Sequence, residues 1–141
     1  MNDPLIIEEV YNASIEEVWQ VLIDENKMRI WYFPQLQKFK PIVGFKFVFN
    51  NDGSSYQKEW IVTKVEEGRL FAHSWSYLGY PGNSEVQFEL IREGESTRLI
   101  LNHAGLNSFP SDPHFARIRF ENGWKQILGS NLRNCLSKKA V

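Results

Sequence analysis

A single cysteine, Cys135, stands in the whole chain, so no internal disulfide can form and a disulfide-stapled secreted scaffold is excluded. Cys135 falls on the apolar stripe of a helical pattern and reads as a small buried hydrophobe rather than a nucleophile. No charge of one sign dominates: 16 basic and 17 acidic residues leave a net charge of −1. The basic field that draws nucleic acid or an anionic membrane surface is missing. The pair Lys138-Lys139 is short and terminal and reads as a solvated helix end. No stretch approaches the ~20 apolar residues of a membrane span. Met1 to Pro4 carry neither a basic nor an apolar leader region, so the cytoplasm is the expected location. Three histidines occur without compact His-x-His or His-x-x-x-His spacing, and no metal site is expected. Gly-x-Ser-x-Gly, phosphate-loop, Cys-x-x-Cys and dinucleotide fingerprints are all missing, and no cofactor is implied.

What the chain does have is rings. Its 141 residues suit one domain, 1–141, and ten Phe, five Trp and five Tyr must line a large core, a pocket, or both. Hydrophobic residues at 43% and charged residues at 23% give the balance of a soluble globular protein.

Leu5 to Tyr11 is rich in Ile and Val and predicts a strand. Ser14 with Glu17 fits a capping box, and Ile15, Val18, Trp19, Leu22 and Ile23 recur at helical spacing. The pattern predicts a helix from Ile15 to Asp24 and a short one from Lys27 to Trp31. Phe45, Phe47 and Phe49 alternate as in a strand, and Asn50-Asn51-Asp52-Gly53 predicts a tight hairpin turn into a strand from Gln57 to Val65. Strands Leu70 to Tyr77, Ser84 to Ile91 and Thr97 to His103 follow, joined by short turns, which implies an antiparallel meander. Asp112 is a good N-cap and Pro113 suits a first helical position. Phe120, Trp124, Ile127, Leu128, Asn131, Leu132 and Cys135 then form one stripe of a long helix, predicted from Pro113 to Ser137. The class is α+β.

Alternation places Phe71, His73, Trp75 and Tyr77 on one face of their strand. Trp60 and Val62, then Val86, Phe88 and Leu90, then Leu99, Leu101 and His103 supply the apolar sets of neighbouring strands. The obvious cover for this ring-rich face is the C-terminal helix. Gly123, in the middle of that helix, costs about 1 kcal/mol relative to Ala and is read as allowing close approach to the sheet.

Five segments in order resemble one superfamily. Ala13-Ser14-Ile15-Glu16-Glu17-Val18-Trp19 resembles the opening of the START-like, helix-grip proteins, and Trp31-Tyr32-Phe33 their Trp-Phe after the second helix. Arg69 to Trp75, Thr97 to Leu106, and Gly123-Trp124 with Leu128 and Leu132 resemble their later motifs. Together they look like the branch named for the C-terminal domain of the Hsp90 ATPase activator. The resemblance implies a helix-grip (START/Bet v1-like) fold: a curved antiparallel sheet of about seven strands around a long C-terminal helix, with two short helices after strand 1. It also implies a hydrophobic cavity between sheet and helix.

Three functions are therefore expected in order. The first is binding of a small hydrophobic or amphipathic molecule, a lipid among them, by Trp31, Phe47, Trp60, His73, Trp75, Phe88, Leu101, His103, Phe120, Trp124 and Leu128. The second is an Hsp90-associated, co-chaperone-like interaction domain. The naming activator carries a further N-terminal domain for which 141 residues leave no room, so ATPase stimulation is not the expected activity. The third is a pocket enzyme, cyclase- or hydrolase-like, using His73 or His103, with Glu59 read as facing outward beside Trp60. No catalytic residue is assigned. A monomer or a homodimer paired through exposed aromatics around Tyr77 to Tyr80 is expected.

Overall fold

A computed structural model describes residues 4–137. Lys138 and Lys139 lie outside the described residues, as do Met1 to Asp3.

The first strand, β1 (Leu5–Tyr11), forms where the Ile/Val pattern predicts it. Ser14 then starts α1 (Ile15–Ile23) through the expected capping box. The Glu17 N–H donates to Ser14 Oγ at 3.2 Å, and the Ser14 N–H to Glu17 Oε1 at 3.0 Å, so two orphan donors are satisfied reciprocally. Asp24 ends α1 and caps α2 (Glu25–Trp31), its carboxylate accepting the Asn26 N–H at 3.2 Å. The Trp31 indole N–H donates to the Val21 carbonyl at 2.9 Å, which fixes α2 on α1.

Two short strands, β2 (Leu36–Lys38) and β3 (Val48–Phe49), pair as a separate ribbon. The main sheet contains β4 (Lys58–Glu59), β5 (Val62–Glu66), β6 (Leu70–Tyr77), β7 (Ser84–Glu93) and β8 (Ser96–Ala104) together with β1. Its order is β1-β8-β7-β6-β4, with β5 also beside β6, and every pairing is antiparallel. Six strands plus a ribbon thus stand where about seven strands were expected.

Three local expectations change. The turn predicted at 50–53 is instead part of a longer loop, 50–57. Asn51 Oδ1 accepts the Gly53 N–H at 2.7 Å and Asp52 Oδ1 the Ser54 N–H at 2.9 Å, so the Asn and Asp side chains fold the loop on itself rather than closing a two-residue turn. The strand predicted from Gln57 to Val65 is split in two. At the break the Ile61 N–H leaves the regular ladder and donates to Ser74 Oγ at 2.9 Å, while both Trp60 and Val62 stay buried. The helix predicted from Pro113 starts later. Asp112 does cap, accepting the His114 N–H at 2.8 Å, but Pro113–Phe115 makes only a 3-10 turn. Ala116 returns to extended backbone (ψ 139°), and α3 (Arg117–Gln126) begins after it.

That helix runs on through a π turn, Ile127–Leu132, into α4 (Arg133–Ser137). Gly129, Ser130 and Asn131 are weak helix formers and give the widened turn little resistance. The buried Tyr11 hydroxyl donates to the Leu128 carbonyl within it at 2.8 Å, tying β1 to the π turn. Arg133 completes the tie, donating to the Val10 carbonyl at 3.0 Å and pairing with Glu9 at 2.5 Å. Inside the sheet's concave face, Val86, Phe88, Leu90, Leu99 and Leu101 are buried against Trp124, Leu128 and Leu132 of the helix. Cys135 is a buried thiol on the same stripe, in no disulfide. No helix among the described residues is long and apolar enough to cross a membrane.

Candidate functional site

The last helix does not close fully on the sheet. A cleft of about 510 Å³ remains where four parts of the chain converge. Tyr32 and Phe33 enter from the end of α2, where the helix stops and successive side chains diverge. Trp75 and Tyr77 enter from β6, two residues apart and so on one face. The 50–57 loop and β4 bring Asp52, Ser54, Tyr56 and Lys58. The helix brings Arg119, Phe120, Gly123, Trp124 and Gln126 from α3, with Ile127 and Asn131 from the π turn.

The floor is aromatic. Trp75 lies 5.6 Å from Trp124, 5.9 Å from Phe120 and 6.0 Å from Phe33 between ring centroids, at interplanar angles of 60°, 72° and 71°. Its indole N–H donates to the Tyr77 hydroxyl at 3.0 Å, so the polar edge of the ring is satisfied within the wall. The rim is polar. Tyr56 stacks on His114 at 3.5 Å between centroids. Lys58 Nζ sits 4.4 Å from the Phe33 ring centroid, over its face. Burial lowers the Lys58 pKa, with Asp52 pulling the other way. Burial, then the nearby Arg119, lowers that of His114. A dry void of 510 Å³ would cost about 12 kcal/mol at ~24 cal/mol per Å³, as much as a whole domain's stability. Exposed Asp52, Ser54, Arg119 and Gln126 at the rim open the cleft to water instead.

Of the residues expected to contact a ligand, Trp75, Phe120 and Trp124 border this cleft. Trp31, Phe47, Trp60, Phe88, Leu101 and Leu128 do not; they are packed core. Trp60, for instance, lies flat on His73 at 4.6 Å and against Trp75 at 4.3 Å, behind the cleft wall.

His73 and His103 also lie in the core, each without exposed surface. His73 Nδ1 donates to the Ser74 carbonyl at 2.8 Å, which leaves Nε2 to accept the Tyr32 hydroxyl at 2.9 Å. His103 is the opposite tautomer. Its Nδ1 accepts the Trp124 indole N–H at 3.1 Å, and its Nε2 donates to Ser84 Oγ at 2.8 Å. The Ser84 hydroxyl passes on to the Trp75 carbonyl at 3.0 Å. Burial depresses each imidazole to a pKa of about 3, so both rings are neutral and both nitrogens are engaged.

Other expectations are corrected. A Cβ at Gly123 would meet nothing within 4 Å, so this glycine borders the open cleft rather than a close sheet contact. Tyr77 is buried against Phe109 and Phe115, and Tyr80 stacks on Tyr56 at 5.3 Å. The segment from Tyr77 to Tyr80 therefore presents Leu78 rather than a ring surface. Glu59 faces outward as expected, 3.5 Å from Lys46 Nζ.

Sequence reasoning passed over Tyr32, Phe33, Tyr56, Lys58 and Arg119. Signals existed for two groups. Arg119, Gly123 and Gln126 are spaced i, i+4, i+7, a helical line beside the Phe120–Trp124–Ile127 line. Lys58 shares the alternation of Trp60.

A sheet gripping a final helix over an aromatic cleft defines the helix-grip fold of the START-like superfamily. The chain belongs within it to the family described as activator of Hsp90 ATPase homolog 1-like protein, whose pattern matches residues 12–137. The protein MLL2253 of Mesorhizobium loti superposes with a TM-score of 0.79 at 22% identity, over 98% of this chain and 99% of that one. CalU16 of Micromonospora echinospora gives 0.73 at 26% identity, over 96% and 77%. DynU16, from the dynemicin biosynthetic locus, gives 0.78 at 20% identity over 99% of this chain, which spans 49% of DynU16. No curated protein matches the chain in sequence. This fold is that of ligand-binding and polyketide cyclase-like domains and does not by itself specify a ligand.

Proposed function

We propose that this chain is a single-domain binding protein for a small hydrophobic or amphipathic molecule, seated on Trp75, Phe120 and Trp124. The observation that carries the reading is the cleft itself: about 510 Å³, floored by rings, rimmed by a few polar groups, and held open between sheet and helix. Ligand pockets run from ~300 to ~1,000 Å³ with that same division of apolar lining and sparse polar groups. The cytoplasm remains the expected setting, with a monomer or homodimer as the assembly.

A cyclase-like reaction on His73 or His103 has less support. Neither ring borders the cleft, and each has both nitrogens engaged. The Hsp90 reading rests on the family name.

Native mass spectrometry of the protein as purified tests the proposal, together with a thermal-shift panel of lipids, isoprenoids and polyphenols. A retained small molecule, or a panel member that raises Tm, is expected. An unliganded mass with no shift across all three classes would count against it.

A further inference from the structure

We infer that the ligand of this cleft carries an anionic group, a carboxylate or sulfonate on an aromatic body, and that Lys58 and Arg119 hold it. The inference rests on the binding reading above and adds the chemistry of the head group.

Arginine usage is the first support. Arg29, Arg69, Arg92, Arg98 and Arg133 are each paired with a glutamate, and Arg117 donates to the Pro4 carbonyl at 3.1 Å. Arg119 differs: among the described residues its guanidinium makes no ion pair and no hydrogen bond, and it stands on the cleft rim. A planar guanidinium with its whole donor fork free is suited to bidentate capture of a carboxylate or sulfonate.

Lys58 is the second. Lys46, Lys64 and Lys125 each face a glutamate within 4 Å; of the lysines without an ion pair among the described residues, Lys58 is the one in the cleft wall, half-buried over the rings of Phe33 and Phe49 at 4.4 and 5.8 Å and within the field of Asp52. An ammonium taken partly out of water onto ring faces gains more from an incoming anion than one still fully hydrated. The sum of charge is the third. Asp52 is the one carboxylate among the cleft residues, and its Oδ1 already accepts the Ser54 N–H and Gln57 Nε2, each at 2.9 Å. Two lining cations therefore face one lining carboxylate, and Asp112 acts on the same rim from outside the lining. After burial, both cations lower the His114 pKa while Asp112 raises it, so the fields of Arg119 and Lys58 overlap at a rim that Asp112 also faces.

A matched pair of dyes tests this: 8-anilinonaphthalene-1-sulfonate, and N-phenyl-1-naphthylamine, which is the same ring system without the sulfonate. Fluorescence titrations at low salt should show the sulfonate bound on the order of 10-fold more tightly, the worth of one charge-assisted contact. Arg119→Gln and Lys58→Gln should each weaken the sulfonate several-fold and leave the neutral dye unchanged, and high salt should narrow the gap. Gly123→Phe, which fills open space, should abolish binding of both. If the neutral dye binds as tightly as the sulfonate, or the two Gln variants weaken both dyes equally, the anionic head group is wrong while the apolar cleft stands. If Gly123→Phe leaves both titrations unchanged, or neither dye binds, the cleft reading fails with it.

Discussion

Tyr32 and His73 join the cleft to the core: the Tyr32 ring borders the cleft, and its hydroxyl donates to His73 Nε2 at 2.9 Å behind it. With Nδ1 already bonded to Ser74, Nε2 has no proton and needs this donor. Tyr32→Phe leaves a buried acceptor unpaired and should cost about 1–3 kcal/mol in urea unfolding, with an unchanged m-value.

The two buried imidazoles set an acid limit. Their folded pKa values, about 3, lie below the 6.5 of an exposed ring. Below pH 6.5 the unfolded chain takes up protons that the folded chain refuses, so stability falls as pH drops from 6.5 toward 3. Each ring should contribute a slope of about 1.4 kcal/mol per pH unit over that window. Urea melts at neutral and mildly acidic pH should differ accordingly. Ring nitrogen spectra should hold His73 as the Nδ1–H tautomer and His103 as the Nε2–H tautomer throughout the native range. A flat stability profile over this window would contradict the buried-neutral assignment.

Gly123 offers a stabilising change. Its helical position has open space where a Cβ would stand, so Gly123→Ala should raise stability by up to about 1 kcal/mol. A thermal melt checks it. A loss of stability would mean that the glycine is packed after all.

Core and rim should separate cleanly by truncation. Phe88, without exposed surface, stacks 5.6 Å from Phe71 and meets Trp124 edge-on at 5.8 Å. Phe88→Ala should cost about 3–5 kcal/mol. Arg119→Gln, at the exposed rim, should stay within about 0.5 kcal/mol in the same assay.

Much of the fold is legible in local sequence. The alternation of Leu70 to Tyr77 and the box of Ser14 and Glu17 gave their elements directly, because each depends on neighbours within a few residues. The helix start is different. Asp112-Pro113 carries a sound starting signal, yet Ala116 turns extended and the long helix waits until Arg117. The π turn depends partly on Tyr11, a residue of the first strand, reaching the Leu128 carbonyl.

The cleft was legible only in part for a similar reason. Alternation tells which face Trp60, Phe88 and Trp75 share, but not whether the opposing surface meets them. Trp124 covers Phe88 at 5.8 Å, and Tyr32 stacks over Trp31 at 4.5 Å, so those positions close. Where Gly123 presents no side chain and the 50–57 loop stands off, the space stays open. Lys58 and Arg119 come together there only because β4 and the helix converge, which no local spacing encodes.

The five tryptophan indole signals in a nitrogen–proton correlation spectrum test the binding site most directly. Titrating in the panel compound with the largest Tm shift should move the Trp75 and Trp124 signals first and farthest, leaving Trp19 and Trp31 in place. Saturating ligand that shifts Trp19 or Trp31 while Trp75 and Trp124 stay still would contradict a site between sheet and helix.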